Sequence, residues 1–137
     1  MIQGYSTGLD VAAGAMYPIN NITLKKGCSV IQSAPATFQL NQRGIYLIHY
    51  DGYAAATVGG TVSTQLYVNG VAQPQAISSF VPAAVTDTRT FGFKSFVRVT
   101  QNNCNRNCFT SPTILQVING ETAVSDAHIN ICVTQIC

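Results

Sequence analysis

TFQLNQRGIYLIHYDGYAAA, residues 37–56, contains the strand that decides the fold of this chain. Successive side chains of a β-strand point to opposite faces. The centre of the stretch therefore carries two sets of large side chains, Ile45, Leu47 and His49 on one face and Tyr46, Ile48 and Tyr50 on the other. A strand with bulky residues on both faces is covered on both faces. One face fills a core, and a second copy of the chain is the simplest cover for the other.

The alternation alone leaves open which set lies in the core and which lies between copies. One candidate set for either role is Tyr46, Ile48 and Tyr50, which Phe96 from a later stretch would extend. Left in water, these side chains would form an apolar stripe, and burying each is worth about 1.5–3 kcal/mol. The sequence therefore predicts self-association, with these four residues in the interface or in the core.

The composition indicates one globular domain with unusually few charges. The 137 residues suffice for a single core. Charged residues make up 9 % of the chain and hydrophobic residues 47 %, whereas about a quarter of an average domain is charged. So few charges indicate a surface that other protein covers in part, and oligomerisation is the simplest cause.

The same sequence argues against several partners. Its net charge of +2 comes from scattered residues, whereas nucleic-acid binding needs clustered Lys and Arg. No stretch of the sequence approaches a membrane span in length, and the first residues do not resemble a secretory signal. We therefore expect no nucleic-acid partner, no membrane insertion, and assembly in a cytoplasm.

Alternation with a period of two runs through most of the chain and predicts an all-β fold. Asn69-Gly70 and Asn119-Gly120 follow alternating segments and predict hairpin turns, because both residue types tolerate positive φ. Eight or nine short strands with such turns predict a two-sheet antiparallel sandwich. Residues 1–14 are rich in glycine and predict an irregular N-terminal arm, followed by the sandwich domain at residues 15–137.

Four segments in order carry a family resemblance. They are VAAGAMYPIN (residues 11–20), FQLNQRGIYLIHY (38–50), LYVNG (66–70) and ILQVINGETAVSDAHINICVTQI (114–136). Together they resemble the bacterial and phage C1q/TNF-like domains, such as the C-terminal domain of collagen-like spore-surface glycoproteins. The resemblance implies a ten-stranded jelly roll that forms a homotrimer about a threefold axis. The sequence departs from the family pattern because it has no Gly-X-Y stalk and carries a cysteine-containing insertion.

That insertion holds two of the five cysteines. Cys104 and Cys108 are separated by three residues in a polar loop, and they could form a disulfide, hold a metal ion or remain free thiols. No histidine stands beside them, so zinc is weakly indicated. Cys28, Cys132 and Cys137 are typical of small buried apolar residues. An odd number of cysteines leaves at least one thiol free or intermolecular.

No set of polar residues in the sequence has the pattern of a catalytic site. His49 stands among large apolar residues and is interpreted as a core or interface histidine. The five acidic residues are widely spaced and offer no facing pair of the kind that glycosidases use. Asp87 with Arg89 predicts an ion pair in a loop. We therefore predict no enzymatic activity, no cofactor and no metal site.

Two functions fit these observations. The first is a non-enzymatic trimeric structural protein that decorates the surface of a larger particle, such as a phage virion, as a capsid-decoration or head-fibre protein. Residues 1–14 would attach it, with Tyr5 and Tyr17 docking on the particle or capsid protein. The second is a receptor-binding or adhesive head that recognises a host-surface glycan or protein with loops 83–88 and 101–112. A place on a spore or cell surface is a further alternative that the resemblance implies.

Overall fold

The structure, a computed structural model, describes residues 1–100 and 112–137. These residues form strands and contain no helix that could span a membrane. The strands are β1 (Ile2–Val11), β2 (Asn21–Lys25), β3 (Val30–Ala34), β4 (Thr37–Leu40), β5 (Gly44–Ala56), β6 (Val62–Val68), β7 (Val71–Phe80), β8 (Thr88–Val99), β9 (Thr113–Asn119) and β10 (Val124–Gln135).

The strands build two five-stranded sheets. The strand order is β2-β1-β10-β5-β8 in the first sheet and β3-β4-β9-β6-β7 in the second. All the pairings between these strands are antiparallel. The predicted all-β, two-sheet jelly roll is therefore confirmed.

The two Asn-Gly turns have different roles. Asn69 and Gly70 have φ values of 50° and 78° and join the paired strands β6 and β7, as the sequence predicted. Asn119-Gly120 does not make a hairpin, because β9 and β10 belong to different sheets. The buried amide of Asn119 donates hydrogen bonds to the carbonyl oxygens of Val11 and Thr122. This side chain therefore fixes the place where the chain crosses between the sheets.

The structure shows which face of the central strand β5 lies in the core, which the alternation had left open. Tyr46, Ile48 and Tyr50 are buried between the sheets, whereas Leu47 is half-buried and His49 exposed on the outward face. The Tyr46 hydroxyl donates a hydrogen bond to the Gln42 carbonyl at 2.8 Å, so a tyrosine can occupy this core position without leaving that group unpaired. The candidate set Tyr46, Ile48 and Tyr50 is therefore core, and it is not available as an interface.

Two hydroxyl groups in the core lack hydrogen-bond partners among the described residues, those of Tyr50 and Ser95. The Tyr50 ring stacks on Phe93 at 5.3 Å between ring centroids. Burial raises the pKa of Tyr50 well above its ordinary value, since a phenolate would lose its hydration there. The core therefore contains two buried hydroxyl groups that form no hydrogen bond with the described residues around them.

The prediction of an irregular arm at residues 1–14 is wrong. Ile2–Val11 is strand β1, which lies inside the first sheet between β2 and β10. Gly4 is necessary there, because a Cβ at this position would lie 2.7 Å from the Asn21 carbonyl oxygen. The sandwich therefore begins at β1, and the predicted boundary at residue 15 does not separate an arm from the domain.

Tyr17 was predicted to be an exposed docking residue of the N-terminal segment, and this is also wrong. Its side chain is 2 % exposed and packs edge-on against Tyr50, with 6.2 Å between ring centroids. Its hydroxyl donates to Asn119 Oδ1 at 3.2 Å and accepts from Thr64 Oγ1 at 3.4 Å. Tyr17 is a core residue that ties the segment before β2 to the crossover at Asn119.

Candidate functional site: the outward face of the first sheet

The outward face of the first sheet presents an apolar corner, which we define as Ile45, Leu47 and Phe96. Phe96 is 64 % exposed, whereas the residues next to it on β8 point into the core. It is the cross-strand partner of Leu47, so the two side chains lie side by side. A phenylalanine this exposed on a regular sheet face is typical of a contact surface.

The position of Phe96 corrects its predicted grouping with Tyr46, Ile48 and Tyr50. Phe96 shares its face with Leu47, and the other three residues point to the opposite side of the sheet. Ala54 and Ala56, farther along β5, are also buried in the core. The surface therefore uses the alternate residues of β5, together with Phe96.

A polar depression lies at the centre of this face. It has a volume of about 260 Å³ and is lined by Gln3, His49, Asp51, Asn130, Ile131 and Cys132. Cys132 is the cross-strand partner of His49, and Asn130 is the partner of Asp51. Lys94 of β8 lies on the other side of His49. His49 and Asp51 therefore lie beside the polar side chains of β10, and Lys94 borders them on the edge strand β8.

Three aromatic rings stack at the other end of the face. The His128 ring lies between Tyr53, at 5.2 Å between centroids, and Tyr5, at 6.3 Å. The pairing of β10 shifts register between Ser125 and His128, and Asp126 there has a φ of 48°. Such bulges re-aim side chains. Tyr5 thus belongs to a stack within the sheet, where it was expected to belong to a free arm.

The described strand ends next to the two predicted recognition loops lie at opposite ends of the sandwich. Thr88, which ends the loop 83–88, pairs with Ala55 at one end of the sandwich, whereas Val99, just before loop 101–112, pairs with Gly44 at the other end. Cys104 and Cys108 lie outside the described residues, so their three alternatives stay predictions. Asp87 accepts a hydrogen bond from Arg89 at 2.8 Å, which confirms the predicted loop ion pair and lowers the pKa of the Asp87 carboxyl.

Among residues 1–100 and 112–137, no three side chains of His, Cys, Asp or Glu are grouped so that they could hold a metal ion. The polar depression was not predicted from the sequence because its residues come from β1, β5 and β10, and only the strand register brings them together. Their alternation within each strand could have shown that they point the same way. It could not have shown that Cys132 lies opposite His49.

Comparison with known proteins identifies solved structures that share this fold. No protein-family model and no curated protein matches the sequence. Among solved structures, the globular domain of zebrafish complement 1qA protein matches with a TM-score of 0.70 at 7 % identity over 99 % of this chain and 96 % of that chain. Eiger TNF from S. frugiperda matches with a TM-score of 0.69 at 10 % identity over 99 % and 92 %.

A third similar structure is PRD1 vertex protein P5, with a TM-score of 0.63 at 17 % identity over 99 % of this chain and 96 % of that chain. Identities this low establish the shared fold alone. The chain has the C1q/TNF-like jelly-roll fold over its whole described length, as the resemblance implied.

Proposed function

We propose that this C1q/TNF-like jelly roll is a homotrimeric structural protein and that its outward sheet face is the interface between copies. The observation that carries the proposal is the apolar corner, where Phe96 of the edge strand β8 stands exposed beside Leu47 on a regular sheet face. Both faces of β5 then have a cover, as the strand requires. The number three comes from the C1q/TNF resemblance.

The energetics favour association through this face. Covering a large apolar side chain is worth about 1.5–3 kcal/mol. Phe96 in each of three copies would contribute on the order of 5–9 kcal/mol on that scale, and the half-buried Ile45 and Leu47 would add to it. This gain stands against an association cost of about 4–15 kcal/mol, so the rest of the face must contribute as well. The aromatic stack and the polar depression extend the contact area.

The charges on the face suit a contact between unlike patches. Lys94 and Arg98 are exposed on the edge strand β8, whereas Asp51 lies on β5. A threefold arrangement joins different patches of neighbouring copies, because only a twofold axis brings a patch against itself. The edge strand of one copy can therefore bring its cations to the neighbouring carboxylate.

The particle is proposed to be a virion, which the trimer would decorate. The support is the resemblance to phage C1q/TNF-like domains and the similarity of the fold to a structure titled a vertex protein. A receptor-binding or adhesive head is the second candidate, and a spore or cell surface is the alternative location. One observation favours the head: Val81 and Val85 are exposed in the loop between β7 and β8, at one end of the sandwich.

Sedimentation velocity of the wild-type protein and of Phe96→Asp tests the interface. Wild type should sediment as a trimer at micromolar concentration. Phe96→Asp should sediment as a folded monomer, because a carboxylate on each copy would be buried in the contact. Val71→Asp is the matched control, since Val71 is 63 % exposed on β7 of the second sheet. A wild-type monomer, or a trimeric Phe96→Asp variant, would refute the assignment.

A second measurement separates the two candidate functions. Labelled trimer should bind purified virions of the source phage and leave intact host cells unlabelled if its function is decoration. Saturable binding to cells, lost when the loop valines Val81 and Val85 are replaced by Ser, would favour the adhesive head.

A further inference from the structure

The polar depression has the composition of a ligand site. Five of its six lining residues carry nitrogen, oxygen or sulfur donors in their side chains: Gln3, His49, Asp51, Asn130 and Cys132. It also lies on the three neighbouring strands β1, β10 and β5, so a rigid sheet fixes the positions of these donors. Sites built on strands hold their geometry better than sites built on loops.

Cys132 and His49 form the core of the site. They are direct cross-strand partners, and their side chains leave the same face. The β-carbons of such partners lie about 4.5–5.5 Å apart. One ion can therefore accept both a thiolate at about 2.3 Å and an imidazole nitrogen at about 2.0 Å. The Cys132 thiol is free and half-buried.

We propose that Cys132 and His49 bind a soft divalent cation of the Zn²⁺ type, with the remaining ligands supplied by the neighbouring copy. The inference rests on the proposed trimer, which covers this face. Thiolate and imidazole together select Zn²⁺ over Ca²⁺ or Mg²⁺, which prefer oxygen ligands.

The neighbouring copy is needed because Zn²⁺ takes four ligands. Within the described part of the chain no three candidate ligands are grouped around one point, so each copy brings an incomplete set. The thiolate and the imidazole would supply two of the four ligands, and two further donors from across the contact would complete the set.

Covering the depression would also bury the Asp51 carboxylate, which then needs a positively charged partner. Asp51 is exposed in the single chain, but assembly would enclose its carboxylate with the other donors. A buried charge without a partner is strongly destabilising, and a bound cation beside Asp51 removes this cost. Lys94 on the edge strand β8, which the proposed contact would bring from the neighbouring copy to this carboxylate, is the rival source of positive charge, and the experiment must separate the two.

Cobalt is the probe, because a thiolate bound to Co²⁺ gives a charge-transfer band in the near ultraviolet. The protein is titrated with Co²⁺ in a Cys104→Ser, Cys108→Ser background, which removes the predicted loop thiols. We expect a saturable band that Cys132→Ser abolishes and His49→Ala weakens at least about tenfold in Co²⁺ affinity. Cys28→Ser and His128→Ala are the matched controls and should keep the band, because neither residue lines the depression.

The assembly dependence is tested with Phe96→Asp, which leaves Cys132 and His49 in place. The band should disappear in this variant if the neighbouring copy completes the site. Sedimentation of wild type in a chelator tests the trimer separately, and a trimer that persists there leaves the proposed function intact whatever the cobalt result.

Three results would overturn the inference. They are the absence of a band in the trimeric wild type, a band that survives Cys132→Ser, and an unchanged band in monomeric Phe96→Asp. If the band is absent and Lys94→Gln weakens the trimer at least about tenfold, then Lys94 is the partner of Asp51.

Discussion

Replacing Tyr50 by Phe should stabilise the protein. The Tyr50 side chain is 1 % exposed, and its hydroxyl has no hydrogen-bond partner among the described residues. An unsatisfied buried polar group costs about 1–3 kcal/mol. Tyr50→Phe removes the hydroxyl and keeps the ring that stacks on Phe93. We expect a gain of about 1 kcal/mol in the free energy of unfolding, the low end of that range, because the lost oxygen leaves a small void.

Tyr46→Phe is the matched control for this change. Tyr46 lies on the same strand and is equally buried, but its hydroxyl donates to the Gln42 carbonyl at 2.8 Å. Removing that hydroxyl takes away a hydrogen bond, so the free energy of unfolding should fall by about 1 kcal/mol. The two variants make the same chemical change and should have effects of opposite sign.

Urea unfolding at one fixed protein concentration measures both variants, because the apparent stability of an oligomer depends on its concentration. A change of 1 kcal/mol corresponds to a shift of about 3–4 °C in Tm for a domain of this size. If Tyr50→Phe lost as much stability as Tyr46→Phe, the Tyr50 hydroxyl would be satisfied in solution. Such a result would refute the prediction that removing this hydroxyl stabilises the protein.

Alkaline pH should destabilise the protein. Burial raises the pKa of Tyr50 and Tyr17 above the ordinary value of 10.0, so the unfolded chain releases these protons at lower pH than the folded chain. The free energy of unfolding should therefore fall as pH rises above about 10. Urea titrations across that range should show a smaller fall for Tyr50→Phe. Gly52→Ala would place a Cβ against the His128 carbonyl oxygen and should cost at least about 2 kcal/mol, whereas Gly59→Ala meets no atom and should change thermal stability little. Deleting residues 1–11 should unfold the protein, since β1 is an interior strand. A truncated chain with the wild-type circular dichroism spectrum would instead support the prediction that these residues form an arm outside the sandwich.

The sequence of β5 predicted two covered faces but could not assign them. Ile45 and Leu47 are as apolar as Ile48, so hydrophobicity does not distinguish the two sets. The assignment depends on whether the buried tyrosines meet polar acceptors, such as the Gln42 carbonyl, four residues before Tyr46, which accepts the Tyr46 hydroxyl. A tyrosine in a core needs such an acceptor, and only the fold reveals whether one is present.

Strand β1 was missed for a different reason. Gly4 and Gly8 weaken a strand pattern, and glycine-rich termini are usually irregular. Here Gly4 is needed because the Asn21 carbonyl lies where a side chain would project. A glycine required by close packing and a glycine required by flexibility look the same in a single sequence.

The candidate site was even less accessible from the sequence. Each residue of the depression has an unremarkable place in its own strand, and Cys132 was expected to be a small buried residue. It lies half-buried on the outward face because the register of β10 against β5 sets its alternation. Register is a property of pairs of strands, and one strand read alone does not determine it.

The place of β10 in the first sheet has a consequence for how the protein is made. β10 lies between β1 and β5, and Ile2 pairs with Val133. On the ribosome, β1 and β5 emerge long before the strand that joins them, so their hydrogen-bonding edges stay open until β10 has been made. Contacts between such distant segments slow folding, and open edges invite pairing with other chains. The nascent chain is therefore most exposed to misassembly just before β10 appears, and completion of the central strand closes the sheet.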